Sequence, residues 1–390
     1  MTTLLICEMF PPKTGGSSRW FWEIYRRLPR EGFVIAAGEN AGQTEFDRTH
    51  DLRVVRIPLT FSTWGVGNLT GFRNYWRSLN RLRQLVGIER VESVHCGRCL
   101  PEGLLAWMIK QRLRIPYACY AHGEELNTTS TSRELSWLTR RVLRGSEFII
   151  ANSRNTERIL RDKWGLSTNR IRLLYPGVDT KRFVPAVRNP AVRADLRWGE
   201  RPVVLTVGRL QKRKGQDQMI LALHAIRTAI PDVLYALVGD GEEREPLRQL
   251  VEKEGLGQHV QFMGGTDDEL LVNCYQQCDL FVLPNREINK DIEGFGMVLL
   301  EAQACGKPVV AGNSGGTAET MRSPETGRIV SCYGPNELAA VLIELLKDPD
   351  LRAQMGTEAR KWVVGHFDWS FLTREAEELF QGAPTDREDD

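Results

Sequence analysis

Three glycine-bearing loops and one histidine carry the residue types from which chemistry can be built. Gly208-Arg209 is followed five residues on by Lys214-Gly215. Two cations on a glycine-punctuated loop suit a diphosphate, which Arg grips as a fork and Lys as a point charge. A solvated basic loop has the same composition. Further on, Glu293-Gly294-Phe295-Gly296 opens a stretch that reaches Glu301. The amides of Gly294, Phe295 and Gly296 lie at an expected helix start, and carboxylates hydrogen-bond vicinal hydroxyls. Such a pair can hold a sugar at one end and a ribose at the other. An ordinary surface role for Glu301 is the alternative, and its apolar surroundings (LLEAQA) weigh against it. Near the N-terminus, Gly15-Gly16 precede a helical stretch, with Ser17 or Ser18 as candidate N-cap. A helix start behind paired glycines is an anion site, best suited to phosphate, or else a plain turn. His122, in Ala121-His122-Gly123-Glu124-Glu125, is an active-site candidate or a satisfied structural histidine. His95 also ends an apolar run and reads as structural.

These residues follow short apolar runs that read as buried parallel strands. The runs are Leu4–Cys7, Phe33–Ala36, Val54–Ile57, Val91–His95, Tyr117–Tyr120 and Phe148–Ala151. The order starts again with Val203–Val207, Val233–Val238, Val260–Met263, Leu280–Leu283 and Pro308–Val310. Amphipathic stretches such as Arg19–Leu28, Leu135–Leu143, Gln216–Ile230 and Met297–Ala304 alternate with them. Alternation of this kind implies two doubly wound, Rossmann-like α/β domains in tandem. The aperiodic FVPAVRNP, Phe183–Pro190, has the composition of a linker, which puts the boundary near Phe183–Asn189. Ligands of open α/β sheets bind beyond the carboxyl ends of strands, so a site in a cleft between the domains is expected.

The 390 residues carry a formal charge of only +2, which suggests no nucleic-acid partner. That total hides a split. Residues 1–185 hold 29 Lys and Arg against 17 acidic residues, and 25 of the 29 are Arg. Seven of the ten tryptophans also fall there. Arg with Trp suits an anionic membrane interface; dispersed surface arginines and core tryptophans are the alternative. The eight cysteines sit in apolar runs and read as reduced core thiols, including the lone Cys96-Gly97-Arg98-Cys99. MTTLLICEMF is too short for a signal h-region and lacks a basic start. A cytoplasmic protein is expected, with peripheral attachment at the inner face of the plasma membrane as a separate expectation.

Taken together the motifs resemble family 4 of the retaining, nucleotide-sugar-dependent glycosyltransferases, which have the GT-B fold. Tyr175-Pro-Gly-Val-Asp179-Thr-Lys-Arg-Phe183 looks like that family's NGVD…F segment, and Gly208-Arg209…Lys214-Gly215 like its GRL…KG loop. Glu293…Glu301 is similar to its E-x7-E motif, continued by EAQACGKPVVAGNSGG. The C-terminal half is similar to the phosphatidylinositol mannoside mannosyltransferases, which use GDP-mannose; the N-terminal half matches them less well. The resemblance implies an acceptor domain over residues 1–184, a donor domain over residues 185–366 and a helix at about 367–381 that returns to the first domain. Residues 382–390 form an acidic tail, expected to fray.

The resemblance also implies roles. Arg209 and Lys214 neutralise the donor diphosphate, with a backbone contact from Gly16. Glu293 and the amides of Gly294, Phe295 and Gly296 hold the hexose, Glu301 holds the ribose, and His122 lies beside the transferred sugar. A hexose of mannose or glucose type would move from a GDP- or UDP-sugar to a lipid-linked or anionic glycan acceptor in cell-envelope or polysaccharide synthesis. Front-face substitution would need no metal and no cofactor beyond the donor. Asp348-Pro-Asp350 has the outward form of a metal-binding DxD but matches the family's routine turn between helices. A same-fold epimerase or phosphorylase, or a non-catalytic nucleotide-sugar-binding subunit, are the competing classes.

Overall fold

The computed structural model describes residues 2–381; the tail expected to fray, 382–390, lies outside them. The chain packs as two units, one formed by residues up to Pro176 together with those from Trp369, the other by Gly177–Asp368.

The first unit is built on a seven-stranded sheet in the order β3-β2-β1-β4-β5-β6-β7. Its strands are β1 (Thr3–Cys7), β2 (Phe33–Gly38), β3 (Val54–Ile57), β4 (Ser93–Cys96), β5 (Tyr117–Ala121), β6 (Ile149–Ala151) and β7 (Ile171–Leu173), and neighbours pair in parallel. Leu5 of β1 is in register with Ile35 on one side and His95 on the other. Helices cover both faces, so β1 is an unbroken apolar run from Leu4 to Cys7 rather than alternating, and all its residues are buried. Side-chain caps start three of the helices. Asn68 accepts from Gly71 N at 2.7 Å ahead of Leu69–Ile88, while Ser132 and Ser153 cap Arg133–Gly145 and Arg154–Asp162. The last helix, Trp369–Phe380, belongs to this unit. Arg172 donates to Leu379 O at 2.8 Å, and the Phe380 ring packs 4.4 Å from His95 and 6.1 Å from Tyr25. His95 is structural as expected. It is bonded to the Tyr25 hydroxyl at 2.7 Å, and burial pushes its pKa down to about 3.

The second unit carries a six-stranded parallel sheet in the order β10-β9-β8-β11-β12-β13. The strands are β8 (Val203–Val207), β9 (Leu234–Val238), β10 (Val260–Gly264), β11 (Leu280–Leu283), β12 (Val309–Gly312) and β13 (Gly327–Val330). One core runs under it from helix Gln216–Ala229 (Met219, Leu223, Ile226) to helix Pro335–Lys347 (Leu338, Leu342, Leu345). Phe183–Asn189, with its linker-like composition, is fastened within this unit. Phe183 O accepts from Arg360 at 2.7 Å and Asn189 N donates to Gln277 at 2.8 Å. Asn189 then caps helix Pro190–Asp195. The packing therefore divides ahead of the prolines, at Pro176–Gly177. Asp348 caps helix Pro349–His366, accepting from Leu351 N at 2.9 Å, which accounts for one carboxylate of the Asp-Pro-Asp turn. All eight cysteines are free and buried, and Cys99 Sγ lies 3.7 Å from Cys119 Sγ.

Candidate active site

In the second unit the strand order reverses between β8 and β11, and a doubly wound sheet binds ligands in the crevice at that point. Both sequence-selected loops rise there. The loop after β8 ends at Gly215, whose φ is +74°. A Cβ there would stand 1.8 Å from Pro284 O, on the loop after β11, so only glycine lets the two loops touch backbone to backbone. Gly315, after β12, has φ +62°, and a Cβ on it would fall 1.7 Å from Glu293 O. Gly316 N donates to that same oxygen at 3.1 Å. Glu293 is thereby fixed through its backbone before its side chain is considered.

The side chain is held as firmly. Glu293 Oε2 accepts from Lys214 Nζ at 2.5 Å and from Arg213 Nη1 at 2.7 Å. Arg213 Nε also reaches Asp291 Oδ1 at 3.1 Å. Burial alone would raise the Glu293 pKa. The Lys214 ammonium and then the Arg213 guanidinium outweigh it, pulling the carboxyl down to about 2. Lys214 is 9% exposed and Glu293 8%. Gly294, Phe295 and Gly296 follow. Gly296 sits at the N-cap of helix Met297–Ala304, which has no side-chain cap and so presents its first amides at the crevice. One turn and more inside this helix, Glu301 accepts from the Tyr275 hydroxyl at 2.7 Å; both residues are buried. The surface alternative for Glu301 therefore falls. Arg209 is exposed, and its guanidinium makes no ion pair among the described residues.

Sequence reasoning missed four residues of this site: Arg213, Tyr275, Asp217 and Arg286. Arg286 grips Asp217 with two bonds of 2.9 and 2.7 Å, tying the loop after β11 to the first turn of helix Gln216–Ala229. Arg286 N also donates to Arg213 O at 2.8 Å. Arg213 stood next to Lys214 in the basic run, which was the one available signal. The partners of the other three are distant in sequence.

In the first unit, Gly15, not Ser17 or Ser18, is the N-cap of helix Gly16–Tyr25, so Gly16 is its first residue. The serines are used otherwise. Ser18 donates to Lys13 O at 2.5 Å, and Ser17 Oγ lies 3.4 Å from His122 Nδ1. His122 Nε2 is 2.7 Å from Gly97 O. A carbonyl oxygen only accepts, so Nε2 carries the proton, and in the neutral ring Nδ1 accepts from Ser17. The ring stands edge-on to Trp20 at 5.5 Å. Its backbone N donates to the buried Glu125 carboxylate at 2.8 Å. His122 is thus oriented from three sides. This sheet reverses order between β1 and β4, and an unforeseen ion cluster fills that point. Glu8 bonds Lys13 at 2.7 Å and Arg98 at 2.5 Å, and Arg98 also reaches Glu102 at 3.1 Å.

Two parallel α/β units, the second with cations, a helix start and paired glutamates at its switch point, define a nucleotide-sugar glycosyltransferase with the GT-B fold. The comparisons agree. Residues 14–182 match the model for Glycosyltransferase Family 4, and residues 189–362 that for Glycosyl transferases group 1. The chain belongs to the family 4 glycosyltransferases. It is 33% identical over 399 residues to a GDP-mannose-dependent alpha-(1-6)-phosphatidylinositol monomannoside mannosyltransferase of Mycobacterium tuberculosis, covering 97% of this chain and 98% of that one. To a D-inositol 3-phosphate glycosyltransferase of Nocardia farcinica it is 30% identical, over 77% of this chain and 68% of the relative. Among solved structures, Anabaena HepE in complex with UDP superposes with a TM-score of 0.81 over 98% of this chain and all of that one, at 22% identity.

Proposed function

We propose that the chain is a retaining hexosyltransferase that moves a mannose- or glucose-type sugar from a GDP- or UDP-sugar to a hydroxyl of a lipid-linked or anionic acceptor, without a metal. The observation that carries this reading is the Lys214–Glu293 pair beside the open helix start at Gly296. Cleavage of the glycosyl–phosphate bond leaves negative charge on the diphosphate and positive charge on the sugar. Lys214 and the exposed Arg209 supply the cations for the first, a role a bound metal would otherwise take. Glu293 and the amides of Gly294, Phe295 and Gly296 receive the hexose hydroxyls; Glu301, oriented by Tyr275, receives the ribose. The acceptor hydroxyl enters on the face the nucleotide leaves. Its proton passes to a diphosphate oxygen as the new glycosidic bond forms. We assign His122 and the Gly16 amide to the same reaction, with His122 beside the sugar, and the Glu8–Arg98 cluster to the acceptor.

GDP-mannose leads the donor candidates because relatives covering nearly the whole chain are named for it. A thermal-shift panel with GDP-mannose, UDP-glucose and ADP-glucose tests the reading. The true donor adds about 2.7 kcal/mol of stability at 100 times its dissociation constant, and the shift persists in EDTA. No shift with any of the three, and no transfer, would overturn it.

The acceptor side is expected at an anionic membrane surface. Among the described residues no helix is long and apolar enough to cross a membrane. Helix Leu69–Ile88, however, carries Arg73, Arg77, Arg81 and Arg83 and no acidic residue. Arg73, Arg77 and Arg83 make no ion pair among the described residues. Phe72 and Trp76, stacked at 6.5 Å, are 57% and 49% exposed beside them. Wild-type protein is expected to co-sediment with phosphatidylglycerol vesicles and not with phosphatidylcholine ones. Arg73→Glu with Arg77→Glu should weaken that by roughly 30-fold or more, at about 1 kcal/mol per basic residue. Equal binding to both vesicles would remove the membrane part of the proposal.

A further inference from the structure

Lys214 and Glu293 present a conflict of duties. The ammonium that is to meet the donor diphosphate is spent, without donor, on the carboxylate that is to meet the hexose. A bound diphosphate competes for Lys214 with two negative charges against one. When it wins, Glu293 loses its shortest side-chain contact in a site where it is only 8% exposed. A buried carboxylate without a cation takes up a proton. A protonated carboxyl donates one hydrogen bond and gives up accepting capacity, so it no longer reads a pair of hydroxyls in the same way.

Arg213 is placed to prevent this. Its Nη1 holds Glu293 Oε2 at 2.7 Å, while its Nε is anchored on Asp291 at 3.1 Å. Its carbonyl is fixed by Arg286 N at 2.8 Å, and Arg286 is fixed in turn by Asp217. The guanidinium is therefore braced from two sides, whereas the Lys214 chain ends in a compact point charge that can swing. The charged groups around the Glu293 carboxylate are Lys214 and Arg213 from the loop after β8 and Asp291 from its own loop; the loop after β12 adds the amide of Gly316 to its carbonyl.

We propose that Arg213 is a positioning residue for Glu293: it keeps the carboxylate ionised and aimed at the sugar when the diphosphate draws the Lys214 ammonium away. The two loops then work in sequence, and occupancy of the phosphate end sets the sugar end free without neutralising it. This rests on the reading that Lys214 meets the diphosphate.

The test is Arg213→Ala, with Arg213→Lys alongside, on the full chain. Dissociation constants for GDP and UDP are measured by calorimetry, and both kcat and kcat/KM with GDP-mannose and UDP-glucose across pH 4 to 9. In Arg213→Ala, nucleoside diphosphate affinity should stay within about threefold of wild type, while kcat/KM falls by roughly 10- to 100-fold, the size of one lost hydrogen bond to a charged group. The fall in kcat, which reports the donor-bound enzyme, should steepen towards acid, because in that complex Glu293 has neither cation and titrates above the ordinary carboxyl value of 4.5 rather than at about 2. Arg213→Lys should restore most of the rate and remove the acid limb. An Arg213→Ala enzyme with wild-type kcat/KM and pH profile overturns the inference. So does one that loses diphosphate binding and transfer in equal measure, since Arg213 would then serve the diphosphate or the fold. Wild-type protein that binds neither GDP nor UDP and transfers nothing sinks the donor reading itself, a result distinct from both.

Discussion

Lys214→Ala lowers kcat/KM for sugar transfer by about 10²–10³-fold, or roughly 3–4 kcal/mol of transition-state stabilisation. The size of the loss follows from the proposed role: the ammonium is almost fully buried, and the charge it would meet grows as the diphosphate departs. It falls on the rate more than on binding, since the leaving diphosphate is more negative than the bound sugar nucleotide. Folding survives, because Arg213 still pairs with Glu293 at 2.7 Å when Lys214 is gone. Lys214→Arg does not rescue in full. The backbone contact of Gly215 with Pro284 O leaves the loop no room to retreat for a planar fork. Initial rates with GDP-mannose and UDP-glucose, beside melting curves for both variants, decide the matter. A fully active Lys214→Ala protein would sink the assignment.

Arg286→Ala destabilises the second unit by about 3 kcal/mol. It strips both guanidinium hydrogen bonds from Asp217, a half-buried carboxylate, and leaves it one longer contact of 3.4 Å from Gln218. Burial pushes the Asp217 carboxyl up; the Arg286 guanidinium, with smaller help from Gln218 and Lys212, reverses this and holds the group below its ordinary range. Breaking one side of a buried pair costs roughly 3–5 kcal/mol, because the remaining charge has no partner. The lower end applies here, as Asp217 lies in the first turn of a helix, where the backbone dipole favours an anion. Urea titration of Arg286→Ala against Arg286→Ala with Asp217→Asn separates the causes. The double variant should recover most of the loss, since the orphaned charge is gone. Equal stability of the two would show that the cost is lost packing instead.

The fold was readable where the chain is buried on both faces. Leu280–Leu283 and Val203–Val207 agree to the residue, because a parallel strand covered by helices is an unbroken apolar run. β7 and β13 were missed. IRL and GRIV are short edge strands with half-buried residues, and so lack both length and apolar continuity. The helix N-cap failed for a related reason. Serine is the stronger statistical cap, but Ser17 and Ser18 are bonded to His122 and Lys13, and Gly15 starts the helix uncapped. Candidate residues such as Arg209, Lys214 and Glu293 could be singled out because glycines and charges after strands are few. What spacing could not reveal was pairing. Glu293 with Arg213, Glu301 with Tyr275 and Asp217 with Arg286 meet across 26 to 80 residues of chain; the first two pairs fix the charge or aim of a glutamate that could be found, and the third joins two residues that could not.

Helix Trp369–Phe380 has one more implication, for the order of events during synthesis. The aromatic seam of the first unit, Tyr25 and Phe33 beside His95, is closed by Phe380. Those ring partners leave the ribosome hundreds of residues ahead of Phe380, which covers them. The second unit is contiguous, from Gly177 to Asp368, and every segment of it is out before that helix appears. The later-translated unit can therefore finish first, and the earlier one must wait with an apolar seam open to solvent. A stop codon just ahead of Trp369 would spare the second unit and cripple the first, which is encoded ahead of it.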